Sequence, residues 1–208
     1  MSDGAEKTAG GQFRLLGTRR FAPLFLTQFL GAFNDNLYKN ALIVLITFQS
    51  TQWTAMRPEI LANLAAGLFI LPFFFFSATA GQLADKYDKA RLARLTKLLE
   101  IVIMLVAIAG FLWHSLALLL AALFLLGLQA TLFGPVKYAI LPQHLSEQEL
   151  VGGNAQVEAG TFVAILIGTL AGGLLAGAGV EAVWIAMAGL AVAGAGYLAS
   201  RAIPDAPP

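Results

Sequence analysis

The first apolar segment of the chain, residues 21–48, reads FAPLFLTQFLGAFNDNLYKNALIVLITF. It holds 28 residues, which make a helix of about 42 Å at ~1.5 Å per residue, whereas a bilayer core needs only ~20 residues. A polar cluster, residues 34–40, interrupts its middle. An ionisable side chain near mid-membrane costs at least ~2.5–3.5 kcal/mol, so such residues usually serve a substrate, an ion or a buried partner. The cluster is therefore the best pointer to function.

The composition is that of a membrane protein. Hydrophobic residues make up 58% of the chain and charged residues 12%, too few to cover a soluble domain. The sequence has no cysteine, which excludes disulfides and thiolate metal sites, and we expect no cofactor. No short alternating segments of a barrel are present. The sequence predicts an all-α membrane protein with six transmembrane helices, from apolar segments at residues 21–48, 60–80, 95–113, 116–133 (extending weakly to 141), 157–177 and 180–199.

The basic residues predict the topology. Eleven of the thirteen fall on one side of the six segments, before the first, between the second and third, and after the fourth and sixth. Arg57 lies on the other side and Lys39 inside the membrane. Basic loops stay cytoplasmic, so both termini are expected inside the cell. The residues on that side are Lys7, Arg14, Arg19, Arg20, Lys86, Lys89, Arg91, Arg94, Lys97, Lys137 and Arg201.

The polar cluster supplies most candidate substrate residues. Asp35 and Lys39 stand four apart on one helical face, in the favourable order for a pair. Asn36 lies on the adjacent stripe, and Asn34 and Tyr38 on the other side. Asp35 is predicted to be a carboxylate in the substrate pathway that contacts a cationic head group or exchanges partners with a base. The alternative is a neutralised Asp35–Lys39 pair that is purely structural.

Two other patterns concern helix packing and helix ends. Span five carries small residues four apart, at positions 160, 164, 168, 172 and 176, which suit close packing within one bundle or a sliding seam between two bundles. Ser146 and Glu149 form a capping-box pattern that predicts a short surface helix. Gly152 and Gly153 are expected to end that helix, and Asn154 to cap span five.

The loop at residues 81–92, GQLADKYDKARL, resembles the signature between helices two and three of the major facilitator superfamily. Asp88 stands where that family usually has glycine. We expect Asp85 to accept from a helix N-terminus or from Arg91. The resemblance implies that this loop is a conformational latch; alternatively it is a solvated loop that only orients the protein. The matching latch residues are Gly81, Asp85, Lys86, Lys89 and Arg91.

Three further stretches resemble the lysophospholipid transporter branch of that superfamily: residues 28–36, 133–142 and 153–161. The resemblance implies inward movement of lysophospholipid across the bacterial inner membrane, and it covers roughly residues 15–200. The superfamily fold has twelve helices in two halves, so this chain resembles an N-terminal half that needs a second half or a dimer mate. Some members of the branch are fused to acyltransferase and acyl-carrier-protein ligase domains.

Three more residues are candidates for the pathway. Lys137, near the end of span four, is suited to a lipid phosphate or an acidic partner, or is an ordinary anchor. Glu158 follows the presumed cap of span five, where the helix dipole alone accounts for a carboxylate. Gln129, inside span four, is a weaker candidate.

The predicted organisation is a polar cytoplasmic lead at 1–20, a six-helix bundle at 21–200 and a Pro-rich tail or linker at 201–208. The preferred function is lysophospholipid transport by alternating access, with membrane lipids as surroundings and no nucleic acid as partner. One alternative is a facilitator of another solute, such as a drug or small metabolite. Another is the membrane part of a fused acyltransferase. The chain itself is expected not to be an enzyme, because it lacks phosphate-cradling loops and nucleophile elbows.

Overall fold

Six long helices follow one short 3-10 turn in the computed structural model, which describes residues 13–49 and 53–208. Of the predicted polar lead at 1–20, residues 1–12 lie outside the described residues. The turn is Arg14–Gly17, and the six helices are α1 (Ala22–Phe48), α2 (Pro58–Lys86), α3 (Lys89–Leu112), α4 (Leu116–His144), α5 (Glu147–Gly177) and α6 (Ala182–Arg201).

The all-α prediction is confirmed: the described residues contain six long helices and no strand. Five of the helices, α2 to α6, are long and apolar enough to cross a bilayer. Helix α1 is long enough, but it carries Asn, Asp, Lys and Gln side chains along its length. Those polar groups must therefore find partners inside the protein.

Helix α1 occupies the centre of the bundle. It packs along α5 on one side and along α6 on another, with smaller contacts to α2 and α4. Helix α4 packs against α2 and α3, and α3 against α6. The predicted sixfold segmentation is right, but most helices extend past the apolar segments. Helix α3 begins at Lys89 instead of residue 95, because the Asp88 side chain accepts from the Arg91 backbone N–H at 2.6 Å and caps it there.

The small-residue stripe of α5 is the contact surface with α1. Its five members, Gly160, Ala164, Gly168, Gly172 and Ala176, are all buried. A Cβ on Gly168 would lie 2.5 Å from the Phe33 carbonyl oxygen, and one on Gly172 would overlap that of Leu37. The stripe therefore lets the backbones of two helices of one bundle come into contact. This is the first of the two expectations, close packing within one bundle.

Helix α5 corrects one prediction from the sequence. The capping box of Ser146 and Glu149 is present, but the helix it starts does not stop at Gly152 and Gly153. It continues without a break to Gly177, and Asn154 donates within it to the Leu150 carbonyl at 2.9 Å. A Cβ on Gly153 would overlap the Leu145 side chain, so this glycine makes room for packing and does not end the helix.

The end of the bundle that carries the basic residues is held by long-range polar contacts. Arg20 donates to both carboxylate oxygens of Glu149, at 2.8 and 2.5 Å, and to the His144 carbonyl at 3.2 Å. These bonds join the residues before α1 to the end of α4 and the start of α5.

The last residues of the chain pack against the same end of the bundle. Ile203 and Ala206 are buried, and the Lys89 backbone N–H donates to the Ala206 carbonyl at 2.8 Å. The Pro207 carbonyl accepts from Lys89 Nζ at 2.9 Å and from Gln143 Nε2 at 3.0 Å. These contacts fasten the segment after α6 to the start of α3 and the end of α4.

The α1–α5 seam allows a matched pair of substitutions. Gly172→Ala places a methyl group against the Leu37 carbonyl, while a Cβ on the neighbouring Gly173 meets nothing within 4 Å. We expect Gly172→Ala to cost about 1–3 kcal/mol through overpacking. Gly173→Ala should be neutral or gain up to about 1 kcal/mol from helix propensity. Thermal unfolding in detergent micelles measures both. Equal melting temperatures for the two variants would contradict the close approach of these helices.

Candidate functional site

A cavity of about 430 Å³ lies along one side of α1, between that helix and parts of α2, α4 and α5. Aromatic side chains from α2 and α4 line it together with charged and amide groups from α1, α3 and α4. The described lining includes Gln28, Asp35, Asn36 and Lys39 of α1, Phe69 and Phe73 of α2, Lys97 of α3, Gln129, Phe133, Lys137 and Tyr138 of α4, and Thr161 of α5. The cavity therefore combines apolar walls with charges of both signs.

The structure divides the predicted pathway residues into two groups. Asp35, Asn36, Lys39, Gln129 and Lys137 line the cavity. Three predicted residues do not line it: Asn34, Tyr38 and Glu158.

Asn34 and Tyr38 instead face the packed interior. Asn34 is fully buried, and its Nδ2 donates to Glu100 Oε1 at 2.7 Å. The Tyr38 hydroxyl donates to the Leu119 carbonyl at 3.0 Å, and its ring packs edge-on to Phe111. Both side chains fix α1 to neighbouring helices. The polar turn is therefore divided between the packed interior and the cavity, and none of these side chains has to face lipid alone.

Asp35 is the central residue of α1, with thirteen helical residues on either side. It is 7% exposed, and its buried Oδ1 has no hydrogen-bond partner among the described residues. No Asp35–Lys39 ion pair within 4.0 Å forms in this part of the chain. Lys39 instead places its Nζ over the Phe69 ring, 4.8 Å from the centroid. The structural pair that was the alternative for these residues is therefore not formed, and the pathway role of Asp35 stays a prediction.

A buried ion pair next to the cavity was missed. Lys97 Nζ lies 2.6 Å from Glu100 Oε2, and the two side chains are 1% and 0% exposed. Counting Lys97 among the loop bases was wrong, because α3 begins eight residues before it and carries it into the interior. The sequence does hold a signal: a base and an acid three apart in LTKLLE, within an otherwise apolar run, can share one helical face and neutralise each other.

Lys137 and Glu158 meet across the α4–α5 interface. Lys137 Nζ lies 3.6 Å from Glu158 Oε1, and the same carboxylate oxygen accepts from the Tyr138 hydroxyl. The Lys137 side chain is 14% exposed and that of Glu158 is 42% exposed. The expectations for Lys137 were a lipid phosphate, an acidic partner or an ordinary anchor, and the structure gives it an acidic partner. The pair lies at one end of the cavity, two helical turns beyond Gln129 on α4.

The loop between α2 and α3 is only two residues long, Tyr87 and Asp88. The expectation that Asp85 accepts from a helix N-terminus is wrong: Asp88, the departure from the family pattern, caps α3 instead. Its Oδ2 also accepts from the Ala206 backbone N–H at 3.2 Å. Asp85 is exposed at the end of α2 and has no hydrogen bond or ion pair within the described residues. The residue that caps α3 is Asp88, three residues after Asp85, because α2 continues to Lys86.

The family model of the Major Facilitator Superfamily matches residues 24–208. The chain belongs to this superfamily. That membership confirms the expectation from the loop at 81–92 and agrees with six helices packed as one bundle. The chain is thus a multi-pass membrane protein.

Individual relatives show which branch of the superfamily the chain is similar to. The chain is 31% identical over 186 residues to the lysophospholipid transporter LplT of Serratia proteamaculans. The aligned region covers 88% of this chain and 42% of that protein. It is 31% identical over 178 residues to the LplT of Yersinia pestis, covering 84% of this chain and 39% of that protein. The similarity to the lysophospholipid transporter branch is confirmed. The chain spans about two fifths of the length of these relatives.

The cap at Asp88 provides a test of the loop geometry. Asp88→Ala removes a helix cap and the acceptor for Ala206, which should cost about 1–2 kcal/mol and lower the melting temperature by a few degrees. Asp85→Ala is the matched control. It lies three residues away, is exposed and should change stability by less than about 0.5 kcal/mol. If Asp85→Ala lost more stability than Asp88→Ala, Asp85, the aspartate of the superfamily pattern, would be the residue that caps α3.

Proposed function

We propose that this chain forms the N-terminal half of a lysophospholipid transporter. In this proposal the protein moves its substrate inward across the bacterial inner membrane by alternating access. The names of the relatives support the substrate class, and the cavity beside α1 supports it independently. The observation that carries most weight is Asp35, a mid-membrane carboxylate with an unpartnered oxygen in a cavity that also holds lysines.

The charges of the cavity fit a zwitterionic head group. A lysophospholipid carries an anionic phosphate and, in many cases, a cationic amine. Lys39 has no carboxylate within 4.0 Å among the described residues, and an ammonium is a compact charge suited to phosphate. Asp35 lies one turn before it on the same helix, so it can receive an amine linked to that phosphate.

The aromatic wall fits the acyl chain. Phe69 and Phe73 line the cavity, while Phe74 and Phe75 are 80% and 69% exposed on the same helix. This run of phenylalanines on α2 provides an apolar margin beside the charged centre. A single acyl chain can follow it into the membrane while the head group remains at Asp35 and Lys39.

A partner for the cavity face is part of the proposal. The relatives are more than twice as long as the matched region, and charged groups facing lipid are costly. We place a second six-helix half, or a dimer mate, against this face. Both termini of the chain are then cytoplasmic, as the basic residues predict.

The loop after α2 is proposed as the conformational latch. Asp85, Lys86 and Arg91 are exposed and available to another helix bundle. Lys89 is buried and already bonded to Pro207, so we propose that it fixes the loop and does not bind the partner half. Gly81 has open space beside it, which leaves room for a close helix contact.

The decisive experiment is uptake of labelled lysophosphatidylethanolamine into vesicles that contain the complete transporter. Asp35→Asn keeps the size and polarity of the side chain but removes the charge. We expect a loss of at least about tenfold in uptake, the value of one charge-assisted contact. Glu59→Gln is the control, because this exposed carboxylate lies at the far end of α2 and should leave uptake unchanged.

Two results would contradict the proposal. Full uptake by Asp35→Asn would return this residue to a structural role. If the unmodified transporter moved no lysolipid, the alternative function, transport of another solute such as a drug or small metabolite, would be favoured.

A further inference from the structure

The ion pair of Lys97 and Glu100 requires an explanation beyond packing. Both side chains are almost completely buried, at 1% and 0% exposure. Burying an ion pair rarely stabilises a protein more than apolar side chains of the same size would. A pair kept at this depth beside a cavity is therefore a candidate for function.

Glu100 has its oxygens occupied by three donors from three helices. Oε1 accepts from Asn34 Nδ2 of α1 at 2.7 Å. Oε2 accepts from Lys97 Nζ of α3 at 2.6 Å and from Gln129 Nε2 of α4 at 3.3 Å. This carboxylate is a fully bonded acceptor and has little capacity left for a substrate.

The backbone leaves room for the pair. A Cβ on Gly31 of α1 would overlap Lys97 Nζ, and one on Gly189 of α6 would lie 2.8 Å from Asn34 Oδ1. The Phe133 ring lies on another side of the ammonium, 5.4 Å from Nζ to the centroid. These neighbours hold Lys97 in one position, directed at Glu100.

Asp35 stands next to this arrangement. Gly31, whose Cβ position lies against Lys97 Nζ, is one helical turn before Asp35 on α1. Lys97 and Asp35 both line the cavity, so Asp35 is an alternative acceptor for a Lys97 released by Glu100. Of these two carboxylates, Glu100 is the one that Lys97 bonds.

We propose that Glu100 is a positioning residue that keeps Lys97 away from Asp35. Asp35 then stays available to the ammonium of an amine-bearing head group, and the pair determines the preference for such substrates. This inference rests on the proposed function and deepens it. It assigns to Glu100 no contact with substrate, because its hydrogen bonds are made inside the protein.

The test compares two labelled lysolipids in vesicles containing the complete transporter: lysophosphatidylethanolamine, which has an amine, and lysophosphatidylglycerol, which has none. Glu100→Gln keeps an amide oxygen for Asn34 but frees Lys97 to pair with Asp35. We expect KM for the amine-bearing lipid to rise at least about tenfold, with KM for the glycerol lipid changing less than about threefold.

Two further variants separate positioning from simple stability. Lys97→Met with Glu100→Gln removes both charges, so Asp35 is free again and the preference should return to within about threefold of the unmodified ratio. In an Asp35→Asn background, Glu100→Gln should leave the ratio of the two KM values unchanged. The double variant also tests the proposal if Glu100→Gln alone does not fold, because it leaves no unpaired buried charge.

Three outcomes overturn this inference, and they differ in what else they affect. Equal losses for both lipids in Glu100→Gln would show a structural pair only. Loss of the preference in the double variant would show that Glu100 or Lys97 meets the substrate directly. In both cases lysolipid transport itself stands. No uptake of either lipid by the unmodified transporter would overturn the proposed function together with the inference.

Discussion

The interior of this bundle depends on the ion pair and hydrogen bonds of the Glu100 carboxylate. A buried charge in a low-dielectric interior costs several kcal/mol unless it is paired and hydrogen-bonded. Here the cost is offset by donors from α1, α3 and α4, brought together where Gly31 and Gly189 allow close approach. Because these donors come from separate helices, the charge also fixes how those helices sit around the cavity. The direction in which α1 presents its polar residues follows from this arrangement.

The polar turn of α1 shows how one stretch of sequence serves two surroundings. Successive residues of a helix point about 100° apart, so the three consecutive polar residues 34–36 cannot share one face. Asn34 points to Glu100 and Tyr38 to Leu119, both within the packed interior, while Asp35, Asn36 and Lys39 line the cavity. The small-residue stripe of α5 also brings its backbone against α1. The helix is therefore held on two sides and open to the cavity on a third.

Much of this organisation could be predicted from the sequence. Six apolar segments, the superfamily loop and the small-residue stripe all depend on local patterns, and all are found. The errors that concern helix ends share one cause: the helices continue past the apolar segments, since caps and tertiary contacts decide where they begin and end. Asp88 begins α3 early enough to carry Lys97 inside. Helix α5 runs through Gly152 and Gly153, which are both buried, and Gly153 packs against the Leu145 side chain. No local pattern shows which of two buried carboxylates a lysine will choose.

That choice matters for the cavity. If Lys97 bonded Asp35, the centre of α1 would be neutral, and Glu100 would be a second, isolated buried charge with amide donors alone. The observed pairing leaves the neutralised Lys97–Glu100 pair deep in the bundle. The Asp35 carboxylate, with its unpartnered oxygen, remains at the cavity wall. A carboxylate with a free oxygen in a pocket of mixed charge is stabilised most by a cation that arrives from outside. Under the proposed function, the same physical rule that disfavours bare charges in membranes accounts for a carboxylate kept where a substrate can reach it.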